Sequence, residues 1–348
     1  MSFGAKLSNT PDFVINKLEL YKIQRRLSHS IFGDVFLCKH KLTNQLVAVK
    51  RVSLECTPEQ FKLETRKLIR ENVEFEVEIH RDLATKEKFQ TKNENILRML
   101  DEIQYDNCVY MIFEYCERGD LFGIVDNAKH GRVSQSEVVH YFRQILRGVH
   151  FLHTNGYAHR DLSLENVLVT SDGTCKLGDF GLASYACASC CDSVGKPSYM
   201  APEVLKGIYW DPVRADIWSL GIILFILVAG TPPFEYPHPS DPRYRALSSH
   251  GAGILLRKWK LHDQVSPAAI ELMDGMLQVD PKRRISIEQI LKHPYIYAAQ
   301  NECSWKVSCF DTALSCPLAS SGKDNCLALS LQAVFHKRIK SQELRIEA

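Results

Sequence analysis

The chain has 348 residues, a formal net charge of +2 and a hydrophobic content of 45%. This length allows one large or two medium domains with a real core, and the near-neutral charge gives no reason to expect a nucleic-acid partner. No charged-then-apolar signal segment opens the chain, and its longest apolar run, residues 220–229, is too short to cross a bilayer. We therefore expect no membrane association. The twelve scattered cysteines favour a reducing location, cytoplasmic or also nuclear.

The N-terminal part of the chain predicts an arm followed by β-strands. Residues 1–19 are polar and lack a strong period, which predicts an arm outside the main fold. Runs rich in β-branched and aromatic residues predict five strands, at 21–23, 34–38, 45–50, 96–100 and 109–116. Apolar residues spaced four apart predict a helix from Glu71 onward, and an extra amphipathic helix is predicted before it at 58–70.

Helical periods dominate the chain beyond residue 116. Residues 136–155 carry a core-facing apolar stripe, and the stretch that opens at Arg214 is apolar all round, which predicts a central buried helix. Between them, residues 167–169 and 175–177 flank a turn and predict a short hairpin. Residues 298–348 form a tail without a clear period, and their pattern does not indicate which role the tail has.

The residues that carry chemistry lie on both sides of the predicted hairpin. Asp161 stands five residues before Asn166, and Asp179 opens the sequence Asp-Phe-Gly. Transfer of a phosphoryl group to a hydroxyl needs a carboxylate that orients the hydroxyl and accepts its proton, and hard oxygen ligands that hold Mg²⁺ on the phosphates. Asp161 suits the first role, and Asn166 and Asp179 suit the second. The hairpin is expected to bring Asp179 back beside Asn166.

With this layout the chain resembles a eukaryotic protein kinase of the Ser/Thr type from about residue 20 to about residue 297. The motifs that carry the resemblance are His-Arg-Asp at 159–161, Asp-Phe-Gly at 179–181, Ala-Pro-Glu at 201–203 and Asp-Ile-Trp-Ser-Leu-Gly at 216–221. The last two are similar to the calmodulin-dependent and AMP-activated-kinase-like group. The resemblance implies a two-lobed α+β fold, with a small antiparallel lobe at about 20–115 and a mainly helical large lobe at about 116–297. It also implies transfer of the γ-phosphoryl group of ATP, with Mg²⁺ bound, to Ser/Thr hydroxyls of protein substrates.

The resemblance assigns the phosphate-holding groups of the small lobe. Lys50 ends the sequence Val-Ala-Val-Lys and corresponds to the lysine that holds the α- and β-phosphates and pairs with a helix glutamate. Three glutamates in the predicted helix are candidates for that partner. Glu76 is our choice because it lies one turn before Ile79 on the apolar face, whereas Glu74 and Glu78 are expected to be solvated.

The resemblance also assigns the rest of the nucleotide site. Phe113 corresponds to the gatekeeper that closes the rear pocket, and Glu114 to Cys116 correspond to the hinge that binds adenine. Asp120 has two alternatives, which we leave open: it bonds the ribose hydroxyls or a substrate arginine, or it caps the next helix. The remaining positions assigned to nucleotide binding are Leu27, Ser28, His29, Ser30, Ile31, Phe32, Gly33, Asp34, Val35, Ala48 and Leu168.

The phosphate-covering loop departs from the family pattern. Only the third glycine is present, at Gly33, and Ser28 and Ser30 stand where the family has the first two. Glycine lets backbone amides approach phosphates and adopt dihedral angles closed to other residues. We therefore expect weaker nucleotide binding than is usual in the family, but not its loss.

The catalytic loop departs from the pattern in a paired way. Ser163 stands where Ser/Thr kinases usually have a lysine, and Lys196 stands where they usually have a threonine. Our hypothesis is a swap, in which the Lys196 ammonium replaces the missing charge near Asp161 and Ser163 accepts a hydrogen bond from it. The alternative is that Lys196 points to solvent.

The segment between Asp-Phe-Gly and Ala-Pro-Glu carries a carboxylate where many kinases have a phosphothreonine. This residue is Asp192, and Arg160 is present to receive its charge. We expect activity without an upstream kinase, with Ser193 and Ser189 as alternative phosphosites. The same segment carries three thiols, at Cys187, Cys190 and Cys191. They leave three alternatives open: a zinc site, redox control or ordinary unpaired cysteines.

Three further residues are assigned by the resemblance to structural roles in the large lobe. Asp216 is expected to hold the backbone of the catalytic loop. Arg284 is expected to pair with Glu203 in a buried ion pair.

Substrate preference and two rival functions complete the predictions. Glu165 and Asp120 favour basic residues before the acceptor, but Ile226 stands where strongly base-selective kinases have another glutamate, so the preference is expected to be modest. One rival is a pseudokinase scaffold with weakened nucleotide binding, motivated by the altered glycine loop and by Ser163. The other is a dual-specificity kinase, because tyrosine kinases also lack a lysine at that position.

Overall fold

A computed structural model describes residues 17–29, 33–54, 72–89 and 93–297. Several predictions lie outside the described residues. They are the first sixteen residues of the N-terminal arm, the loop residues Ser30, Ile31 and Phe32, the amphipathic helix at 58–70 and the tail at 298–348.

A five-stranded antiparallel sheet with the order β1-β2-β3-β5-β4 forms the small lobe. Its strands are β1 Tyr21–His29, β2 Gly33–His40, β3 Leu46–Ser53, β4 Met99–Tyr105 and β5 Cys108–Glu114. The predicted strand at 96–100 was wrong in its position, because β4 begins only at Met99. Leu97 instead donates its backbone N–H to the carbonyl of Leu177 at 2.8 Å, which ties this stretch to the large lobe.

The register of the sheet fixes Lys50 in the middle of the lobe. Lys50 lies opposite Val35 of β2 and opposite Met111 of β5. At the tip of β2, a Cβ atom on Gly33 would lie 1.9 Å from the carbonyl oxygen of Arg51. This close approach of two backbones admits only glycine, which accounts for the glycine that the altered loop keeps.

Helix α1, Val73–Phe89, connects the two lobes. It begins at Asn72, whose side chain accepts a hydrogen bond from the backbone N–H of Phe75 at 3.0 Å. Val73 and Val77 pack into a small-lobe cluster, whereas Ile79 packs into the large-lobe core. The two apolar contacts fix the helix against both lobes and therefore set where its polar side chains point.

The large lobe contains helices and two short strand pairs in its described part. The helices are α2 Leu121–Asn127, α3 Gln135–Thr154, α4 Pro202–Lys206, α5 Pro212–Ala229, α6 Pro242–His250, α7 Ala252–Lys258, α8 Pro267–Met276, α9 Ile287–Leu291 and α10 Pro294–Tyr297. The antiparallel pairs are β6 Tyr157–Ala158 with β9 Ser184–Tyr185, and β7 Val167–Val169 with β8 Cys175–Leu177. The second pair is the predicted hairpin, with the same bounds.

Helix α5 is the centre of the large lobe, as its all-round apolar sequence predicted. It starts at Asp211, whose carboxylate accepts backbone hydrogen bonds from Val213 at 2.9 Å and Arg214 at 3.3 Å. It ends at Gly230, which has a φ of +80°. In length and composition the helix is apolar enough to span a membrane, but 89% of this stretch is buried inside the protein. The helix therefore forms the core of the lobe.

A buried ion pair joins the first turn of helix α4 to Arg284, which precedes helix α9. Arg284 donates to both carboxylate oxygens of Glu203, at 2.6 and 2.7 Å, as predicted. Its guanidinium also lies 5.1 Å from the ring centroid of Trp218. Further bonds to the carbonyls of Gln278 and Arg214, each at 2.8 Å, bring the hydrogen bonds of the guanidinium to four.

We predict that Arg284→Ala lowers the free energy of unfolding by about 3–5 kcal/mol, because Glu203 loses its partner in a buried setting. Equilibrium unfolding in urea measures the difference. The exposed Arg147 provides a control, since Arg147→Ala should change stability by no more than about 0.5 kcal/mol. A loss of less than about 1 kcal/mol in the Arg284 variant would contradict the importance of this pair.

Candidate active site

Helix α5 holds the backbone of the catalytic loop, residues 159–166, through the carboxylate of Asp216. Asp216 accepts hydrogen bonds from the backbone N–H of His159 at 2.8 Å and of Arg160 at 2.9 Å. The ring of His153 lies 2.8 Å from the same carboxylate. These bonds hold Arg160 at a φ of +66°, in the left-handed region that a side-chain-bearing residue adopts only when its surroundings impose it. The predicted contact of Asp216 with the loop backbone is confirmed.

Asp161 is the centre of the loop, and its carboxylate is oriented from two sides. Asn166 donates its amide N–H groups to the backbone carbonyl of Asp161 at 2.8 Å and to Oδ2 at 2.9 Å. The backbone N–H of Lys196 donates to Oδ1 at 3.1 Å. A carboxylate fixed in this way can face a single incoming hydroxyl in a constant direction.

A three-membered ion cluster joins the small lobe, helix α1 and the Asp-Phe-Gly segment. The Lys50 ammonium lies 3.0 and 2.9 Å from the two carboxylate oxygens of Glu76 and 2.8 Å from Oδ1 of Asp179. Only 1% of the Glu76 side chain is exposed, so its charge depends on Lys50 for compensation. The choice of Glu76 as the partner is confirmed, and both Glu74 and Glu78 are exposed as expected.

The charge of Asp179 is set by the balance of burial and Lys50. Burial alone would raise the pKa of the Asp179 carboxyl, but the Lys50 ammonium outweighs it and lowers that pKa to about 2. Asp179 is therefore ionised at neutral pH. Its φ of +62° lies in the left-handed region, which shows that the turn into Phe180 is imposed by the neighbouring contacts.

The hairpin places the two proposed metal ligands side by side. The backbone N–H of Gly178 donates to the carbonyl of Asn166 at 3.0 Å, so Asp179 follows directly beside Asn166. The amide oxygen of Asn166 and the carboxylate of Asp179 are hard donors that fit Mg²⁺. In the described ranges no group of three or more His, Cys, Asp or Glu side chains forms a metal site. A magnesium ion here would therefore take its other ligands from phosphate and water.

Lys196 reaches the catalytic loop, and the alternative in which it points to solvent is wrong. Its ammonium donates to Ser163 Oγ at 2.8 Å and lies 3.3 Å from Asp161 Oδ2. Burial lowers the pKa of Lys196, but nearby carboxylates, Asp161 above all, outweigh this, and its pKa lies above the ordinary value. A positive charge is thus held beside Asp161 although the family lysine is absent.

Glu165 lies in the same network as Lys196. The Tyr199 hydroxyl donates to Glu165 Oε2 at 3.2 Å. Burial raises the pKa of the Glu165 carboxyl, and the Lys196 ammonium opposes that rise. The catalytic loop is therefore linked to the activation segment, residues 182–200, at Tyr199 through Glu165 and at Lys196 through Ser163.

The activation segment, residues 182–200, is held by a carboxylate at the predicted position. Arg160 donates to Asp192, and the Arg160 guanidinium also lies 5.3 Å from the ring centroid of Trp210. Cys190 and Trp210 exchange backbone hydrogen bonds at 3.0 and 2.8 Å. The ion pair and the backbone bridge fix the same part of the segment.

The activation segment carries three unpaired thiols and two exposed serines. Cys187, Cys190 and Cys191 are free thiols, and none joins a metal-binding group among the described residues. The choice between a zinc site, redox control and ordinary unpaired cysteines stays a prediction. Ser189 and Ser193 are both exposed.

Apolar positions assigned to adenine binding come from both lobes. Ala48 of β3 and Leu168 of β7 are half-buried and pack against the same small cluster. This cluster includes the gatekeeper Phe113 and the hinge residue Cys116, which are 5% exposed each. The four side chains therefore belong to one apolar cluster.

The polar hinge residues are engaged in local bonds. Glu114 accepts a hydrogen bond from the backbone N–H of Arg98 at 2.8 Å and lies 3.2 Å from the Lys176 ammonium. Asp120 accepts from the backbone N–H of Gly123 at 2.7 Å and caps helix α2. The capping alternative is confirmed for Asp120, and its role at the ribose stays a prediction.

The strands that flank the phosphate-covering loop pair up to their tips. Ser28 lies opposite Val35 and His29 lies opposite Asp34. Ser28 and His29, which were expected in the loop, therefore belong to strand β1. The His29 ring lies 2.7 Å from the Asp34 carboxylate. Leu27, next to this tip, is half-buried.

A buried histidine that the sequence analysis did not single out lies behind the ion cluster. His80 follows Glu76 by one helical turn, is 3% exposed, and lies 5.0 Å from the Phe113 ring and 4.8 Å from the Phe180 ring. The ring of His159 lies 5.5 Å from Phe180 on its other side. The position of His80 four residues after Glu76 was the available signal, since both then lie on one face of α1.

Comparisons with known proteins agree with this geometry. Residues 21–296 match the sequence model of the family described as "Protein kinase domain". The chain is 31% identical over 286 residues to "Maternal embryonic leucine zipper kinase" of Xenopus tropicalis, which covers 80% of this chain and 39% of the frog protein. It is 33% identical over 284 residues to "Serine/threonine protein kinase OSK3" of Oryza sativa subsp. indica, which covers 80% of this chain and 50% of the rice protein. The chain therefore matches half or less of the length of these relatives.

We predict that His80 makes the fold sensitive to acid. Burial, reinforced by the Lys50 ammonium, lowers the pKa of His80 to about 3. In the unfolded chain its pKa is about 6.5, so between pH 6.5 and 3 only the unfolded chain takes up this proton and stability is lost as the pH falls. On moving from pH 7 to pH 5, His80→Leu should lose about 2 kcal/mol less stability than the unmodified chain.

Urea unfolding at both pH values measures this difference. The exposed His250 is the matched control, and His250→Leu should keep the pH dependence of the unmodified chain. Equal losses of stability in the His80 variant and the unmodified chain would show that His80 does not carry the effect.

Proposed function

The chain belongs to the protein kinase family, and on that premise we propose that it transfers the γ-phosphoryl group of ATP to serine and threonine hydroxyls of protein substrates. Members of this family generally use Mg-ATP. The observation that carries the proposal is the meeting of Lys50, Glu76 and Asp179 in one ion cluster, with Asn166 bonded to Asp161 beside it. This complete set of charged and polar groups supports an enzyme over a scaffold.

Asp161 is proposed as the catalytic base. Its carboxylate, held by Asn166 and by the backbone of Lys196, orients the acceptor hydroxyl and accepts its proton as the new bond to phosphorus forms. Fixed donors around this carboxylate keep the acceptor at one angle, which is the main contribution that a protein makes to such a transfer.

Lys50 is proposed to hold the α- and β-phosphates, and Glu76 keeps its ammonium in place. Asn166 and Asp179 would hold Mg²⁺, which when bound neutralises charge on the phosphates. Lys50 lies between Glu76 and Asp179, so the same ammonium orients the metal-binding carboxylate before nucleotide arrives.

Lys196 is proposed to supply the charge that the family places on a catalytic-loop lysine. Its ammonium touches Ser163 and lies beside Asp161, so the charge comes to the family site from the activation segment. In that position it steadies the γ-phosphoryl group as negative charge moves toward the leaving ADP.

Substrates with basic residues before the acceptor are proposed, with a modest preference. Glu165 and Asp120 are acidic groups at the family positions for such contacts, but both already have partners in Tyr199 and Gly123. Ile226 is fully buried in α5 and contributes no charge.

A cytoplasmic or nuclear location remains our proposal, since the described cysteines are free thiols.

Two assays on the purified full chain test the function. A thermal-shift titration with Mg-ATP measures nucleotide binding, and γ-labelled ATP with a basic serine- and threonine-containing protein measures transfer, followed by phosphoamino-acid analysis. We expect phosphoserine and phosphothreonine among the products. Asp161→Asn should form neither product, although Mg-ATP should still shift the melting temperature of this variant. A shift without transfer would establish the scaffold alternative, and phosphotyrosine among the products would establish dual specificity.

We predict that Lys196→Met lowers kcat by about 100-fold and changes the KM for ATP by less than about threefold, because the charge acts on the transferring group. Steady-state kinetics measure both constants. Lys258→Met, at an exposed position of α7, is the control and should match the unmodified chain.

A paired variant distinguishes the swap from a general loss. Ser163→Lys combined with Lys196→Thr restores the family arrangement. The kcat of this double variant should be at least about tenfold higher than that of Lys196→Thr alone. An unchanged kcat in Lys196→Met, or no recovery in the paired variant, would refute the swap.

We predict that Asp192→Asn lowers kcat by about tenfold, because Arg160 loses the anion that anchors the activation segment. Ser189→Ala and Ser193→Ala are matched controls in the same segment and should retain kcat within about threefold. Loss of activity in either serine variant, with retention in Asp192→Asn, would show that phosphorylation and not the carboxylate controls the segment.

A further inference from the structure

Three aromatic rings join helix α1 to the short strand pair β6–β9. Tyr157 and Tyr185 lie opposite each other in this pair, and their ring centroids are 5.8 Å apart in a stacked arrangement. Phe75 of α1 contacts both rings edge-on, at 6.1 Å from Tyr157 and 5.1 Å from Tyr185. We call these three residues the aromatic cluster. It connects the strand that leads into the catalytic loop, the activation segment and the glutamate-bearing helix.

Polar contacts reinforce the aromatic cluster along one stripe of α1. The Tyr157 hydroxyl donates to Asp82 at 2.9 Å, and the Tyr185 hydroxyl donates to Glu78 at 3.4 Å. Burial raises the pKa of Tyr157 and the Glu78 carboxylate raises the pKa of Tyr185, so both phenols remain neutral donors at physiological pH. Lys86 pairs with Asp82 at 2.6 Å and lies 5.5 Å from the Tyr157 ring centroid.

The stripe and the ion cluster lie on adjacent faces of the same helix. Phe75, Glu78, Asp82 and Lys86 are spaced three and four residues apart, which places them on one side of α1. Phe75 directly precedes Glu76, and neighbouring residues of a helix are separated by about 100° around its axis. A rotation or outward swing of α1 that takes Glu76 from Lys50 must therefore also pull the stripe away from Tyr157 and Tyr185.

We propose that Tyr185 is a positioning residue for phosphoryl transfer: through the aromatic cluster it keeps α1 in the orientation in which Glu76 binds Lys50. The expected effect on kcat rests on the proposed function, whereas the expected effect on the orientation of α1 does not. A second tie supports it, since the backbone N–H of Asn72 at the start of α1 donates to the carbonyl of Gly181 at 3.0 Å. The segment that begins with Asp179 thus contacts α1 at two places.

The exposure of Tyr185 separates this role from a role in general stability. Its side chain is 50% exposed, whereas Tyr157 is 6% exposed and belongs to the large-lobe core. Removing the Tyr185 ring therefore leaves the core filled and deletes two ring contacts of the cluster. The remaining contacts hold α1 less firmly, and the population in which Glu76 is paired falls.

Enzyme kinetics provide the first test. Tyr185→Ala should lower kcat by about tenfold, Tyr185→Phe by less than about threefold, and Tyr105→Ala, at a 38% exposed tyrosine of β4, should leave it unchanged. In a Glu76→Gln background, where the pair is already lost, Tyr185→Ala should lower kcat by less than about twofold further. Equal, independent losses in both backgrounds would overturn the proposal.

Hydrogen–deuterium exchange of the full chain provides a test that needs no catalytic activity. Tyr185→Ala should speed backbone exchange in residues 73–86 and leave residues 135–154 of α3 unchanged. If the unmodified chain transfers no phosphate but this pattern appears, the proposed function fails and the positioning role of Tyr185 stands. Exchange in α1 equal to that of Tyr105→Ala, or faster exchange throughout the chain with a lower Tm, would overturn the positioning role.

Discussion

The ammonium of Lys50 is shared by two carboxylates from different parts of the chain, and the rest of the site depends on this arrangement. Glu76 is almost fully buried, and Lys50 lies against both of its carboxylate oxygens and compensates its charge. The same ammonium lowers the pKa of Asp179. Attraction between these charges therefore holds together the small lobe, helix α1 and the Asp-Phe-Gly segment. Loss of Lys50 would remove the cation from both carboxylates, and of the two Glu76 is the buried one.

The site also shows that a charge can be conserved in space while it moves in sequence. Lys196 brings an ammonium to Ser163 and Asp161 from the activation segment, and Asp192 brings a permanent anion to Arg160. Both replacements use residues that are charged without a modifying enzyme. Together with the bonded catalytic loop, they support our proposal that the chain is active without an upstream kinase.

Local sequence patterns predicted most of the fold and the polar centre of the site. The i, i+4 spacing identified Glu76 among three glutamates, and the β7–β8 hairpin was predicted to the residue because its turn chemistry is local. The strand at 96–100 was misplaced because Leu97 bonds to Leu177, a tertiary contact that strand propensity does not register. Asp120 remained ambiguous because one carboxylate satisfies both of its proposed roles.

Contacts between distant residues were the part that sequence could not supply. His80 meets Phe180, and Phe75 meets Tyr157 and Tyr185, across separations of about a hundred residues with no shared period. The reach of Lys196 was a hypothesis from covalent length alone, and only the folded path of the activation segment brings it within 2.8 Å of Ser163. Such pairs follow from topology, which fixes them after the local elements have formed.

The most direct measurement is a time course of labelled phosphate transfer by the full chain after phosphatase treatment, with mass spectrometry confirming that no phosphate remains on it. A site that is assembled by its own fixed charges predicts product from the first time points, without a lag, and none from Asp179→Asn under the same conditions. Product that forms only after another kinase has modified the chain, or no product at saturating Mg-ATP, would contradict this account.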